Sequence, residues 1–365
     1  MQYRIAKRKK VLLFKNLKNK TVQCLTCQRR CRIPPDKVGF CLTRLNINGV
    51  LYALNYGLLN GPPQADQIEK KPLYHFLPGT KTLSLGSFGC NYRCKQCLNW
   101  WCSWGEPATS ILEKLARNKI PRQALNISPE KIVALCLQAK LPSLSFTYNE
   151  PTVWLEYALD IAKLAQKKGL KTIFVTNGSW SEKALAKIGP YLDAANIDFK
   201  GFSRKTYARM GAYWGQLLTT TKRARKIYHL HLELTTVLIP GINDSPTEIK
   251  KMARWIVTNL GPKTPWHLSR YSPDLSSNQE FQRLPAPTKD QLLQAEAIGK
   301  KEGLKFIYIW APGINGSHEV FAKGDTYCPQ CKTMVLKRHL WQPEIIALDQ
   351  EGHCQKCGED LNFKQ

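Results

Sequence analysis

Eleven of the thirteen cysteines in this 365-residue sequence fall into three groups with the spacing of metal ligands. The first and last groups have four members each, and the middle group has three. The groups are Cys24–Cys27–Cys31–Cys41, Cys90–Cys94–Cys97 and Cys328–Cys331–Cys354–Cys357. Thiolates bind zinc and iron–sulfur clusters, so each group predicts a metal site.

The C-terminal group has the spacing of a zinc ribbon. Its two Cys-x2-Cys pairs, Cys328 with Cys331 and Cys354 with Cys357, are separated by 22 residues. Two such turns bring four thiolates together tetrahedrally. A rubredoxin-like iron site uses the same ligands. We favour zinc in a structural role because four thiolates leave no open position on the metal.

The N-terminal group, Cys24-x2-Cys27-x3-Cys31-x9-Cys41, also supplies four thiolates, but its spacing is less diagnostic. A structural zinc ion and an auxiliary iron–sulfur cluster both fit the pattern. The sequence therefore predicts a metal site here and leaves both metals open.

The middle group has no evident fourth ligand. Three thiolates can hold a cubane iron–sulfur cluster and leave one iron open for another ligand. The group follows a strand-like run, Thr82–Leu85, and α/β barrels place their chemistry at the C-terminal ends of strands. A zinc site completed by His75 or Cys102 is the alternative. We interpret Cys102 as a packing residue and Cys136 as a buried core thiol.

Short β-branched runs alternate with amphipathic helices from residue 82 onward. The alternation predicts a parallel sheet with right-handed crossovers. The predicted strands are 82–88, 143–148, 171–176, 193–199, 231–239, 265–270 and 305–310. Six or seven strand–helix units, rather than eight, predict an incomplete barrel.

Capping residues and glycines predict where several helices begin and end. Ser128 and Ser245, each followed by proline, predict N-caps, and the predicted helices Thr152–Lys168 and Thr288–Glu302 each end before a glycine. The capping-box spacing of Ser110–Glu113 predicts an extra short helix within an insertion at 103–127. Its position beside the middle cysteine group favours a lid or a substrate contact.

Together these patterns predict an α/β fold: a partial (β/α)6-type TIM barrel with an N-terminal cysteine-rich extension and a C-terminal zinc-ribbon-like module. The predicted domains are the basic extension at 1–80, the barrel at 81–320 with its 103–127 insertion, and the C-terminal module at 321–365.

Polar residues follow five of the predicted strands. Each segment alone is compatible with a turn or a cap. The carboxyl ends of parallel strands meet at one edge, so we expect the five segments to share a site. They are Thr147–Thr152, Thr176–Gly178, Asp198–Lys200, Pro240–Asp244 and His267–Arg270.

The sequence carries 54 basic and 27 acidic side chains, a net charge of +27. No acidic residue lies between Asp198 and Glu233, where eight lysines and arginines occur. Such stretches fit nucleic acid, an acidic protein or an anionic cofactor, and solvated helix faces are the simpler interpretation. No apolar run is long enough for a membrane span, and no signal peptide is recognised, so we expect a cytoplasmic protein without a membrane partner.

With these motifs the sequence resembles the radical S-adenosylmethionine (SAM) superfamily. It is most similar to the radical enzymes of the AmmeMemoRadiSam system, relatives of the pyruvate formate-lyase activating enzymes. The resemblance covers almost the whole chain. It is carried by the middle cysteine group and by Gly39–Asn46, Ile68–Gly79, Tyr148–Thr152, Val175–Gly178, Pro265–Arg270 and Thr326–Pro329.

The resemblance implies a 4Fe–4S cluster on Cys90, Cys94 and Cys97, with SAM on the fourth iron. One electron would cleave SAM to methionine and a 5′-deoxyadenosyl radical, which abstracts a substrate hydrogen. The resemblance also implies contacts to each part of SAM. Asn149 and Glu150 would bind the methionine ammonium, and Lys200 would bind the methionine carboxylate. The other implied contacts are Thr176, Asn177 and Asp198 near the ribose or a cation, Ile239 and Gly241 beside the adenine, and His267.

The resemblance also implies partners: a flavodoxin or ferredoxin-type electron donor and the other AmmeMemoRadiSam proteins. Activation of a glycyl-radical enzyme and modification of RNA are alternatives within the enzyme interpretation. An iron–sulfur or zinc protein that binds nucleic acid is the non-enzymatic alternative. Four positions depart from the family pattern: Gln96 replaces an aromatic residue, Gln28 and Arg29 replace proline and histidine, and Ser272 stands where a histidine is common. The 103–127 insertion is also longer than expected.

Overall fold

A computed structural model of the chain describes residues 8–117, 125–313 and 320–365. Its strands are β1 (Lys9–Lys10), β2 (Phe14–Asn16), β3 (Val22–Cys24), β4 (Arg32–Ile33), β5 (Arg44–Ile47), β6 (Val50–Ala53), β7 (Leu58–Leu59), β8 (Gln64–Gln67), β9 (Lys81–Leu85), β10 (Leu125–Asn126), β11 (Ser143–Phe146), β12 (Lys171–Thr176), β13 (Ala194–Asp198), β14 (His231–Leu238), β15 (Trp266–Arg270), β16 (Ile307–Pro312), β17 (Val320–Lys323), β18 (Thr326–Tyr327), β19 (Met334–His339) and β20 (Gln342–Ile345).

Its α-helices are α1 (Trp100–Ser103), α2 (Ala108–Ala116), α3 (Pro129–Gln138), α4 (Leu155–Lys167), α5 (Glu182–Ile188), α6 (Arg204–Arg209), α7 (Leu217–Lys226), α8 (Pro246–Leu260), α9 (Gln279–Gln282) and α10 (Lys289–Lys301). Short 3-10 helices lie at Lys18–Lys20, Ile68–Lys70, Pro151–Trp154, Gly189–Tyr191 and Pro273–Leu275. Among the helices of the described residues, none has the length and apolar composition that crossing a bilayer requires.

The described residues form two compact units. The first comprises those within 1–65, 82–195 and 211–230, and the second comprises those within 66–81, 196–210 and 231–365. The three consecutive domains inferred from the sequence stay a prediction, as does the closure of the strands into a partial barrel.

The first unit is built on the parallel strands β9, β11 and β12. Ser145 of β11 pairs with Ser84 of β9 on one side and Ile173 of β12 on the other. All four residues of β11 are buried, as expected for a strand covered on both faces. The N-terminal extension adds two small antiparallel sheets, in the orders β1-β6-β5 and β2-β3-β4.

The second unit contains a mixed sheet. Strands β14, β15 and β16 run parallel, with Trp266 between Leu234 and Ile307, and β17 runs antiparallel to β16. Helices α8 and α10 follow β14 and β15, which gives the strand–helix alternation expected of parallel strands. The C-terminal module is a three-stranded antiparallel sheet in the order β18-β19-β20.

The seven predicted strands are confirmed as β9 and β11 to β16, each within about three residues of its predicted ends. The predicted caps are also confirmed. Ser128 accepts a hydrogen bond from the Lys131 amide at the start of α3, and Ser245 caps α8 in the same way. Thr288 and Gln291 form a reciprocal capping box at α10.

Two predictions about helix starts are wrong. Helix α2 is present, but it begins at Ala108 after Pro107, so Ser110 lies inside it and caps nothing. The proline accounts for the earlier start because its fixed φ suits a helix beginning. The helix predicted from Thr152 begins as a 3-10 turn, and α4 starts at Leu155. Residues 118–124 of the predicted insertion lie outside the described residues.

Candidate functional site

The loop that carries Cys90, Cys94 and Cys97 begins directly after β9. Gly89 has a φ of +93°, and its amide donates to the Cys102 carbonyl at 2.9 Å. A Cβ at Gly89 would lie 2.7 Å from the Cys41 carbonyl oxygen and would also overlap the Thr43 side chain. The turn therefore requires glycine for its backbone conformation and for this close approach.

The cysteine loop is fixed through its own backbone. Arg93 donates from Nη1 to the carbonyl oxygens of Cys90 and Tyr92, at 2.9 and 3.1 Å. Its amide donates to the Gly211 carbonyl at 3.0 Å, while the Cys97 amide donates to the Cys94 carbonyl at 3.1 Å. The loop is therefore held in place by hydrogen bonds to its backbone.

Asn149 ties the end of β11 to the start of the cysteine loop. Its Oδ1 accepts from the Ser87 amide at 3.0 Å, and its Nδ2 donates to the Gly89 carbonyl at 2.8 Å. The side chain is 5% exposed. Both ends of the amide are thus used to position the residue before Cys90.

Glu150 joins the ends of β11 and β12. Its Oε1 accepts from the Thr152 amide (3.0 Å), the Thr152 hydroxyl (2.5 Å) and the Thr176 hydroxyl (2.8 Å). Its Oε2 accepts from the Asn177 amide at 2.7 Å. Burial raises the pKa of Glu150 even though these bonds oppose the rise.

Asn177 reaches from β12 to the cysteine loop. Its Nδ2 donates to Asn91 Oδ1 at 2.8 Å and lies 4.0 Å from Cys90 Sγ. Asn91 also donates to the Ser179 hydroxyl. No sequence pattern indicates a role for Ser179, and the signal for Asn91 is its position inside the cysteine loop.

The chemistry of these donors fits an iron–sulfur cluster. Cys90, Cys94 and Cys97 lie on one loop and form no disulfide bond within the described residues, and Cys94 is 8% exposed. Burial, together with the negative neighbours Cys94 and Glu150, raises the pKa of Cys90 well above its usual range. A thiolate in such surroundings is stabilised by a bound cation, as a metal ligand is.

Cys24, Cys27, Cys31 and Cys41 line one small cavity in the first unit, with a volume of about 10 Å³. The four predicted ligands therefore border the same cavity. Burial, reinforced by Cys24 and Cys41, raises the pKa of Cys27 to about 12. The metal, zinc or an iron–sulfur cluster, stays a prediction.

Arg29 and Gln28, the two family departures within the N-terminal extension, connect this extension to the rest of the first unit. Arg29 donates from Nε to the Asn91 carbonyl, and its guanidinium carbon lies 3.6 Å from the centroid of the Phe40 ring. Gln28 donates to the carbonyl oxygen of Trp180 at 3.0 Å. The cavity of the first cysteines and the Cys90 loop are therefore adjacent through Asn91, which borders both.

The predicted site residues of the second unit also cluster. Lys200 Nζ and Asp198 Oδ2 form an ion pair at 2.9 Å. Asn243 donates to the Lys200 carbonyl at 2.9 Å and accepts from the Ile239 amide at 2.8 Å. Gly241, with a φ of +71°, belongs to the same turn. The ends of β13 and β14 therefore meet, and convergence of all five predicted segments stays a prediction.

His267 lies in a buried polar network in the second unit. Its Nε2 is 2.6 Å from Glu233 Oε2, and Glu233 Oε1 accepts from the His75 amide at 2.7 Å. The His75 ring bonds the Leu361 carbonyl and the Tyr308 hydroxyl. Both ring nitrogens of His75 are therefore engaged, which argues against the alternative of a zinc site completed by His75.

Cys102 and Cys136 behave as predicted. Cys102 is fully buried in an apolar cluster with Phe88, Ile111 and Leu112. Cys136 is fully buried, and its sulfur lies 3.5 Å from the Leu141 carbonyl. Both are core thiols.

The four C-terminal cysteines form a compact ligand set. Their sulfur atoms all lie within 4.8 Å of one another, with 3.5 Å between Cys328 and Cys357 and 3.6 Å between Cys331 and Cys354. A tetrahedron with zinc–sulfur bonds of about 2.3 Å has edges of about 3.8 Å, whereas a disulfide bond is about 2.05 Å long. The geometry fits a single metal ion.

Comparisons with known proteins agree with this arrangement. Residues 85–256 match the model of the Radical SAM superfamily. The chain is 35% identical over 357 residues to "Uncharacterized protein MJ0808" of Methanocaldococcus jannaschii, covering 97% of this chain and 99% of that protein. It is 22% identical over 223 residues to MJ1632 of the same organism, a candidate glycyl-radical enzyme activating enzyme, covering 60% of this chain and 77% of that protein.

A solved domain of pyruvate-formate lyase-activating enzyme from Bacteroides vulgatus is 18% identical, with a TM-score of 0.39, and the match covers 46% of this chain and 97% of that domain. A Radical SAM domain implies an enzyme that uses radical chemistry, with SAM and an iron–sulfur cluster. The chain, whose residues 85–256 match that domain, belongs to one family with MJ0808.

Proposed function

We propose that Cys90, Cys94 and Cys97 ligate three irons of a 4Fe–4S cluster whose fourth iron binds SAM. When bound, this cofactor supplies one electron that breaks a carbon–sulfur bond of SAM, which gives methionine and a 5′-deoxyadenosyl radical that removes a hydrogen atom from the substrate. The observation that carries the proposal is a set of three thiols on one loop directly after β9, held by backbone hydrogen bonds.

We assign two kinds of role to the polar residues of the first unit. Asn149 holds the backbone before Cys90, and Asn177 lies beside its sulfur. Glu150 and Thr176 are hydrogen-bonded to each other. In the proposal, Asn149 and Glu150 accept from the methionine ammonium, and Thr176 and Asn177 lie near the ribose.

The polar residues of the second unit complete the proposed binding set. Lys200 contacts the methionine carboxylate, and Asp198, its ion-pair partner, lies near the ribose or a cation. Ile239 and Gly241 flank the adenine, and His267 contributes a further SAM contact. The salt bridge supports this assignment because it orients the Lys200 side chain before a carboxylate binds.

We also propose a structural zinc ion at the C-terminal cysteines and a metal, zinc or an auxiliary iron–sulfur cluster, at the N-terminal cysteines. Support for the zinc ion comes from the sulfur separations of 3.5 and 3.6 Å. The proposed partners are a flavodoxin or ferredoxin-type electron donor and the other AmmeMemoRadiSam proteins, which act with this chain on an unidentified substrate.

A second candidate is activation of a glycyl-radical enzyme, which the match to MJ1632 favours. Its substrate hydrogen would come from a glycine of a second protein. A lasting organic radical on that protein, observed by EPR spectroscopy, would distinguish it from action on a small molecule.

The test of the proposed function is anaerobic cleavage of SAM. The reconstituted, reduced protein is expected to form 5′-deoxyadenosine, and Cys94→Ala is expected to lose both iron at this site and the product. The matched control is Cys136→Ala, which removes a buried thiol from α3 and should keep the activity. Equal product from Cys94→Ala and the wild type would refute the assignment of the cluster.

A further inference from the structure

The second unit contains a cavity of about 240 Å³ whose lining includes one of the proposed SAM contacts, His267. Four of its ten lining residues are tyrosines or tryptophans, and another is a fully buried carboxylate. The residues that matter for its chemistry are Glu69, Tyr74, His267, Tyr308, Trp310 and Trp341.

Glu69 keeps one oxygen without a partner. The residue is 0% exposed, and its Oε1 accepts from the Gly79 amide at 2.8 Å. Its Oε2 is buried and makes no hydrogen bond within the described ranges. A buried acceptor without a hydrogen-bond donor destabilises the folded protein, so this oxygen favours a ligand that donates a hydrogen bond.

The other charged groups nearby already have partners. Lys70, which lines the cavity, lies 3.6 Å from the Asp66 carboxylate. Arg338 donates to the carbonyl oxygens of Gly324 and Tyr74 and to the Thr326 hydroxyl, and its Nε makes no hydrogen bond to the described residues. His267 is bonded to the Glu233 carboxylate. Among the charged residues that line this cavity, Glu69 therefore keeps a carboxylate oxygen without a donor.

The aromatic walls select among possible donors. The ring centroids of Tyr74 and Tyr308 lie 4.7 Å apart, and those of Trp310 and Trp341 lie 3.9 Å apart. Aromatic faces attract cations and also pack against aliphatic carbon. A carboxylate surrounded by such rings fits an ammonium group on a hydrocarbon chain better than it fits a neutral donor.

We propose that this cavity binds the protonated amine of a small aliphatic ligand, with the ammonium group on Glu69 and the carbon chain against the tyrosine and tryptophan rings. The proposal does not rest on SAM binding, although the cavity shares His267 with the proposed SAM contacts.

The test compares n-pentylamine with 1-pentanol, which has the same chain length and no charge, by calorimetric titration of the full-length protein at pH 8. The amine is expected to bind at least tenfold more tightly than the alcohol. Glu69→Gln should remove this difference, and it leaves the carbonyl that accepts from Gly79 in place. Equal binding of the two probes by the wild type, or unchanged amine affinity in Glu69→Gln, would overturn the proposal.

A second measurement needs no variant. Burial raises the pKa of Glu69 to about 7, so a proton competes with the ammonium group below that pH. Amine affinity should therefore rise between pH 6 and pH 8, and alcohol affinity should not follow it. A flat amine profile would contradict the proposal. The titratable and charged groups around Glu69 are Lys70, Tyr74, Glu233, His267, Tyr308 and Arg338.

Discussion

Hydrogen-bond donors determine the direction of the pKa shifts of the buried carboxylates in this protein. Glu150 has four donors, and three of them converge on one oxygen atom. Glu233 is also fully buried, but His231 and His267 contact it, and they hold its pKa well below the usual range against the effect of burial. The same residue type therefore has opposite pKa shifts because the donors differ.

Thr152→Val should reduce stability through Glu150. The change keeps the shape of the side chain and removes the hydroxyl that donates to Oε1 at 2.5 Å. Because the acceptor is a buried carboxylate, we expect the free energy of unfolding to fall by about 2 kcal/mol in urea titrations. Thr264→Val is the control, since it removes a hydroxyl bonded to a neutral carbonyl at 3.1 Å and should cost about 1 kcal/mol. Equal losses in the two variants would contradict the role of the carboxylate.

The pH dependence of stability provides a second test at this scale. Burial lowers the pKa of His75 to about 3 and raises that of Glu69 to about 7. Unfolded values are about 6.5 and 4.3. The contribution of His75 to the free energy of unfolding is present above pH 6.5 and is lost as the pH falls. The contribution of Glu69 to the free energy of unfolding is present below pH 4.3 and is lost as the pH rises. Between pH 4.3 and pH 6.5 the two contributions therefore change in opposite directions.

Glu69→Gln should remove the contribution of Glu69 to the pH dependence of stability and leave that of His75 unopposed. Relative to the wild type, the free energy of unfolding of the variant should fall by about 1.4 kcal/mol per pH unit from pH 6.5 to pH 4.5. Other groups titrate alike in both proteins and cancel in this difference. Parallel pH profiles from urea titrations would show that Glu69 keeps an ordinary pKa.

At the scale of elements, the turn between β9 and the Cys90 loop determines where the middle cysteines lie. The turn packs against the chain at Cys41 and Thr43, and Asn149 holds it from the end of β11. A displacement of this turn would move the first proposed iron ligand. The stability of the fold and the iron content should therefore change together.

Gly89→Ala should lower both iron content and melting temperature. The added methyl group has no room beside the Cys41 carbonyl and the Thr43 side chain, and the φ of +93° disfavours alanine. Gly169→Ala is the matched control, because Gly169 has a φ of +72° and no other atom within 4 Å of the new Cβ. The control should lose about 1 kcal/mol of stability and keep its iron. Full iron occupancy in Gly89→Ala would show that the close approach is unimportant.

At the scale of the whole molecule, stability depends on metal as well as on apolar packing. In the second unit, Cys328 and Cys354 belong to one buried cluster with Phe306 and Tyr308 at strand β16. Loss of a metal ion from these cysteines should therefore loosen the sheet that they pack against, in addition to the C-terminal module itself.

Cys331→Ser should remove about one zinc ion per chain, measured by elemental analysis, and lower the melting temperature by several degrees. The reason is that metal binding contributes directly to the folding free energy of such a site. Cys136→Ser changes a cysteine outside the ligand sets and should retain the zinc. An unaltered zinc content in Cys331→Ser would rule out this ligand set.

Much of the architecture could be predicted because it follows local rules. Short β-branched runs predicted the seven strands β9 and β11 to β16, and Ser128 and Ser245 predicted two helix starts. The start of α2 was missed because Pro107 outweighed the capping-box pattern at Ser110. The roles assigned to the site residues came from the family resemblance and stay predictions.

By itself, the sequence determined the three cysteine groups and the order of strands and helices, because both depend on residues close together in the chain. Only the tertiary structure decided which distant side chains meet. Glu233 accepts from the amides of Tyr74 and His75, about 160 residues earlier, and Arg29 reaches Asn91 across 62 residues. The free oxygen of Glu69 arises in the same way. Hydrogen bonding and desolvation act over a few ångströms in space, so no pattern along the chain predicts them.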